Sequence, residues 1–115
     1  MPTKSLPAAR IFSPRWTREA LLRQLTAGTD VLAQVLPLRR VVLFGSYARG
    51  RQTAASDVDL LVIYAGEERP DAYAVVRRTL GLRGLEPHLY TEEQYKSLQP
   101  TIDRMAADGV VLFPR

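Results

Sequence analysis

The chain has 115 residues, 46% hydrophobic and 24% charged, and carries a formal net charge of +4 at pH 7. That length suits one domain around one core, and the absence of cysteine excludes disulfides and thiolate metal sites. The first fifteen residues lack a signal-peptide core and no apolar run reaches the length of a membrane span, so a cytoplasmic location away from the membrane is expected.

Residues 1–16 contain three prolines and read as an irregular N-terminal arm, anchored by Phe12 and Trp16. Residues 17–115 form the single domain. Thr17 can cap a first helix whose apolar stripe is Ala20, Leu21, Leu25, Val31, Leu32, Val35 and Leu36. Gly28 and Thr29 are positions where that helix could break, and Pro37 ends it. Arg40–Phe44 is a short β-rich run stopped by Gly45; Ser46–Arg51 suits a helical turn, and Gln52–Ser56 a polar loop.

Val58–Tyr64 is apolar at nearly every position and should be a strand covered on both faces. The charged loop Ala65–Asp71 leads to a helix over Ala72–Leu82, with Tyr73, Val76 and Leu80 inward, closed near Gly81 or Gly84. Leu85–Tyr90 is a weaker strand because of Pro87. Thr91 and Gln94 fit a capping box, so a helix should start at Glu92. A second helical turn covers about Thr101–Ala107, ended by Asp108-Gly109, and Val110–Phe113 is a last short strand or extended tail. This order predicts an α/β (α+β) fold, a small mixed β-sheet packed with helices.

The chemistry concentrates in LFGSYARGRQTAASDVDLLV, Leu43–Val62. Strand alternation puts Asp57 and Asp59 on one face, so two carboxylates converge at the mouth of a buried strand. Their repulsion and desolvation need an offsetting partner. Gly45 lets backbone N–H groups come close to a ligand, Ser46 adds a hydroxyl donor, and a helix starting after Gly45 would aim its N-terminus at the same place. One side therefore offers donors for phosphate and the other hard oxygens for Mg²⁺, which is commonly held by one or two carboxylates plus substrate phosphates. No Gly-Lys-Ser/Thr follows Gly45, which excludes a P-loop. Arginine outnumbers lysine, and its fork matches phosphate, but a charge this small does not predict nucleic-acid binding. Arg49 and Arg51 could each touch phosphate; Arg49 could equally brace the loop by pairing with Asp57 or another carboxylate. Tyr47 could stack on a base or pack the loop.

GSYARGRQTAASDVDL resembles the signature of the nucleotidyltransferase superfamily related to DNA polymerase β: Gly-Ser, ten residues (Tyr47–Ser56), then Asp-x-Asp. In size the chain is similar to the minimal nucleotidyltransferases, antitoxin partners of HEPN-domain toxins, and the resemblance spans residues 17–113. It implies transfer of a nucleoside monophosphate from a nucleoside triphosphate, with ATP expected, to an acceptor hydroxyl. Gly45, Ser46 and Arg49 would hold the triphosphate, and Asp57 and Asp59 would bind Mg²⁺, with two ions expected. The family has a third carboxylate on a neighbouring strand; the matching segment is LEPHLYT, and Glu86 is the candidate. Glutamate is a departure from the usual aspartate, and Pro87 follows it. Glu86 would act as base toward the acceptor or as a metal ligand. His88 and Tyr90 share its face farther along, and a lone histidine is by itself a poor metal site.

Larger superfamily members carry an extra acceptor-binding domain, whereas 115 − 59 = 56 residues follow Asp59 here. The expected acceptor is therefore a hydroxyl of a partner protein, a HEPN toxin. Two alternatives are an antitoxin that neutralises by binding alone, and a transferase for a small molecule whose site a homodimer completes.

Overall fold

The computed structural model describes residues 16–115. The elements run α1 (Arg18–Leu32), β1 (Leu38–Phe44), α2 (Ser46–Arg49), β2 (Val58–Tyr64), α3 (Ala72–Leu80), β3 (Leu85–Thr91), α4 (Glu92–Met105) and β4 (Val110–Phe113). Four strands form one sheet in the order β3-β2-β1-β4. β1 pairs antiparallel with β2 and with β4, while β2 and β3 are parallel, so the sheet is mixed as expected. The parallel pair is joined through α3, the crossover that parallel strands require.

Each side of the sheet has its own apolar layer. Leu60, Val62 and Tyr64 of β2 join Val41 and Leu43 of β1 beneath Leu21, Leu25 and Leu32 of α1 and Val76 and Leu80 of α3. On the other side, Val42, Leu61 and Ile63 pack with Ile102 and Ala106. β2 is thus covered on both faces, which explains its unbroken apolar run.

Local signals set most boundaries. Thr17 Oγ1 accepts from the Ala20 N–H and caps α1. Gly81 closes α3 in the left-handed conformation. The Thr91–Gln94 capping box is present in full and starts α4 at Glu92.

Four expectations are corrected. α1 runs unbroken through Gly28 and Thr29: a Cβ at Gly28 would collide with Leu80 of α3, so this glycine marks the close approach of two helices. Val31, at the end of α1, and Val35, in the turn that follows it, are exposed. Tyr73 faces out, and Val75 takes the inward place beside Val76. The last helix is one piece, α4, that passes through Pro100. Lys96–Thr101 are all exposed, so the carbonyl that Pro100 leaves without a helical donor lies at the water-facing side. The weak strand expected around Pro87 does form, at a sheet edge where proline is tolerated. Phe12 and most of the N-terminal arm lie outside the described residues; Trp16 packs against the larger core.

Candidate active site

β1 and β2 deliver the two halves of the Gly-Ser…Asp-x-Asp segment to one place. Phe44 pairs with Asp59 across the antiparallel ladder, so the residue after β1 lies beside the second aspartate. Gly45 has φ +80° and ψ −156°, a backbone conformation open essentially to glycine alone. A Cβ at Gly45 would run into the Asp59 carboxylate. The glycine turn and Asp59 are therefore in direct apposition, as expected from the spacing.

Ser46 follows at the start of α2, a single turn closed by Gly50 in the left-handed conformation. One turn carries little macrodipole, so the donors available to phosphate are the loop N–H groups and the Ser46 hydroxyl. Tyr47 is fully buried in the larger core and accepts a hydrogen bond from the Trp16 N–H at 3.3 Å; it packs the loop and cannot stack on a base. The loop between the halves is closed on itself: the Thr53 N–H donates to Ser56 Oγ at 2.8 Å and the Ser56 N–H to the Thr53 carbonyl at 3.1 Å. That closure fixes the chain just before Asp57.

Asp57 is exposed and Asp59 half-buried. Arg49 and Arg51 are exposed as well. Among the described residues Arg49 forms no ion pair, so the bracing role toward Asp57 is not seen. As the last residue of a one-turn helix it projects into solvent, free to meet an anion.

β3 adds the third side. In the parallel register Asp59 pairs with Glu86 and Leu61 with His88, so all four share a face. Glu86 lies on the edge strand, exposed, and its Oε1 accepts a 3.4 Å hydrogen bond from the Tyr73 hydroxyl of α3. Arg77 stacks over the Tyr73 ring at 5.9 Å and donates to the Leu85 carbonyl at 2.7 Å, which holds Tyr73 at that edge. The β3 side chain that reaches Asp59 is instead His88, with Nε2 3.4 Å from Asp59 Oδ1. The Phe44 ring meets the His88 imidazole edge-on, centroids 5.0 Å apart. Phe44 and His88 thus lean toward each other across β2 and frame Asp59. The alternation Glu86, His88, Tyr90 was a sufficient signal for His88's face; its contact with Asp59 depends on the parallel register, which the sequence does not display.

Among the described residues no three His, Asp or Glu side chains enclose a metal by themselves. Mg²⁺ does not require such a cage when substrate phosphates and water complete its shell. The donor set fits: two hard carboxylates at a strand mouth, and a glycine against Asp59 where any side chain would fill the space.

Comparison with known proteins agrees with this geometry. No curated protein sequence is significantly similar to the chain. A crystal structure of a candidate nucleotidyltransferase from Sulfolobus solfataricus is similar, with 25% identity, a TM-score of 0.58, and coverage of 83% of this chain and 81% of that one. The model of the nucleotidyltransferase domain family matches residues 29–112, which include both halves of the site, β1 to β3 and all of β4 but its last residue. With that match over most of its length, the chain belongs to the nucleotidyltransferase domain family.

Proposed function

We propose that this chain moves AMP from ATP onto a hydroxyl of a partner protein, a HEPN-domain toxin, and so acts as its antitoxin. The observation that carries the catalytic part is the apposition of Gly45 and Asp59, which joins a phosphate-binding turn to a carboxylate pair. Ser46 Oγ and the loop N–H groups bind the triphosphate, and Arg49 approaches it from the exposed end of α2. Asp57 and Asp59 would hold Mg²⁺, which when bound neutralises phosphate charge and polarises the α-phosphate for displacement of pyrophosphate. Glu86, in register with Asp59, takes the proton of the attacking hydroxyl at Oε1, the atom now held by Tyr73.

The choice of a protein acceptor is supported by the openness of the site. Asp57, Arg49 and Glu86 are all exposed, which suits an acceptor side chain presented on another surface. The choice of a toxin as partner is supported by the resemblance in size to minimal nucleotidyltransferases. A second reading is favoured by one observation: the Glu86 carboxylate is turned to the Tyr73 hydroxyl. That arrangement suits an antitoxin that binds its partner without modifying it.

Intact-mass spectrometry of the chain and the protein encoded beside it, after incubation with ATP and a divalent ion, separates these readings. A nucleoside-monophosphate adduct on the partner is the expected result. A stable complex with no adduct on either protein, under conditions where ATP is bound, would establish the binding-only reading.

A further inference from the structure

We infer that His88 is a metal ligand beside Asp59, and that the site prefers a first-row transition ion such as Mn²⁺ over Mg²⁺. This rests on the nucleotidyltransferase reading above, and it replaces Glu86 as the residue of β3 that meets the ion.

The geometry comes first. His88 Nε2 and Asp59 Oδ1 are 3.4 Å apart, long for a hydrogen bond between these groups. Two adjacent ligands of an octahedral ion sit about 3 Å apart when each is ~2.1 Å from the metal. A small rotation of either side chain therefore places one ion on both. The two side chains are 34% and 28% exposed, open enough to admit an ion and substrate oxygens from one side.

The surroundings favour this orientation. The Phe44 ring makes a T-shaped contact with the imidazole, and Nε2 faces the Asp59 carboxylate. Asp59 is fixed in turn by Gly45, whose missing side chain leaves room for its carboxylate. Glu86, two residues before His88, is engaged at the strand edge by Tyr73. His88 and not Glu86 is thus the β3 donor next to Asp59.

The donor type then sets ion choice. Carboxylate and phosphate oxygens alone suit Mg²⁺, whereas an imidazole nitrogen adds affinity for transition ions along the order Mn²⁺ < Fe²⁺ < Co²⁺. One nitrogen among oxygens keeps an octahedral site but tilts it away from Mg²⁺.

The chain contains one histidine, which makes the test direct. Tag-free protein is loaded with Mn²⁺ alone, and then with Mn²⁺ plus inorganic triphosphate, which carries no nitrogen, and pulsed EPR is recorded. The expected result is the hyperfine coupling of a directly bound nitrogen that changes to the ¹⁵N pattern in protein grown with ¹⁵N-histidine. His88→Ala should lose the coupling and reduce the ratio of Mn²⁺ to Mg²⁺ affinity by roughly tenfold or more, measured by calorimetry. Mn²⁺ bound with no histidine coupling in the wild-type protein would overturn this inference and leave the nucleotidyltransferase reading intact. Mn²⁺ that fails to bind, or binds equally well to Asp59→Asn, would overturn the metal site and that reading with it.

Discussion

On one face of the sheet, Leu60, Val62 and Tyr64 of β2 are closed over by α1 and α3 and are at most 2% exposed. On the other face, Leu61 and Ile63 are buried under α4, yet Asp59, the next position on that face toward the start of the same strand, is only half-buried. A single strand thus supports the core along both faces and the chemistry at one end of one face. The difference comes from what the end of α4 covers: Ile102 and the C-capping Ala106 pack with Val42, Leu61 and Ile63, Phe44 joins that cluster only partly buried, and Asp59 and His88 lie outside it. Stability and activity should therefore respond to different substitutions at neighbouring positions.

The sharpest separation is expected at Asp59. On the proposed reading Asp59 holds the ion, so Asp59→Asn should lower the rate of transfer roughly a thousandfold. Its melting temperature should hold, because Asp59 belongs to neither apolar layer. Initial rates and a thermal melt on the same sample check both halves.

Leu60→Ala acts on the closed face. It should cost about 2–5 kcal/mol of unfolding free energy in urea titrations, while the folded fraction keeps its nucleotide affinity. A loss of affinity without loss of stability would break the division between faces.

Gly45→Ala falls at the junction and should affect both properties. The backbone conformation alone costs about 1–3 kcal/mol for a residue with a side chain, and the new Cβ displaces the Asp59 carboxylate. Reduced stability together with weakened metal-dependent nucleotide binding is the expected pair of outcomes, read by melts and calorimetry.

The smallest effect belongs to α4. The Tyr95 hydroxyl donates to Asp103 Oδ1 at 2.6 Å, and this bond, with partial burial, raises the phenol above its ordinary value of 10.0. The folded state then holds the proton more tightly than the unfolded one. This stability is fully present below about pH 10 and is lost as pH rises through the raised folded value. Tyr95→Phe should flatten that alkaline decline and leave nucleotide binding unchanged.

Much of this division is legible in the chain itself. Val58–Tyr64 was recognisable as a two-faced strand because every inward demand on it is apolar, and Thr91–Gln94 because a capping box is a local device. The Gly45–Asp59 contact was predictable once β1 and β2 were taken as neighbours, since the motif spacing leaves few other arrangements. What escaped was set by partners distant in sequence. Gly28 looked like a break, although Leu80 of α3 requires it inside α1. Tyr73 looked like a core residue and instead engages Glu86 at the sheet edge. His88 shares its face with Glu86 by simple alternation, but only the parallel pairing of β2 with β3 and the push of Phe44 turn it toward Asp59.

The central claim is that the Gly45 turn and the aspartate pair form one nucleotide–metal site. Calorimetric titration of ATP into the 115-residue chain, with a divalent ion and again with chelator, tests it most directly. Without the ion, phosphate and two carboxylates face one another as like charges, so affinity should be markedly weaker in chelator and should lose its metal dependence in Asp59→Asn. ATP affinity that is the same with and without the ion in the wild-type protein would contradict the account.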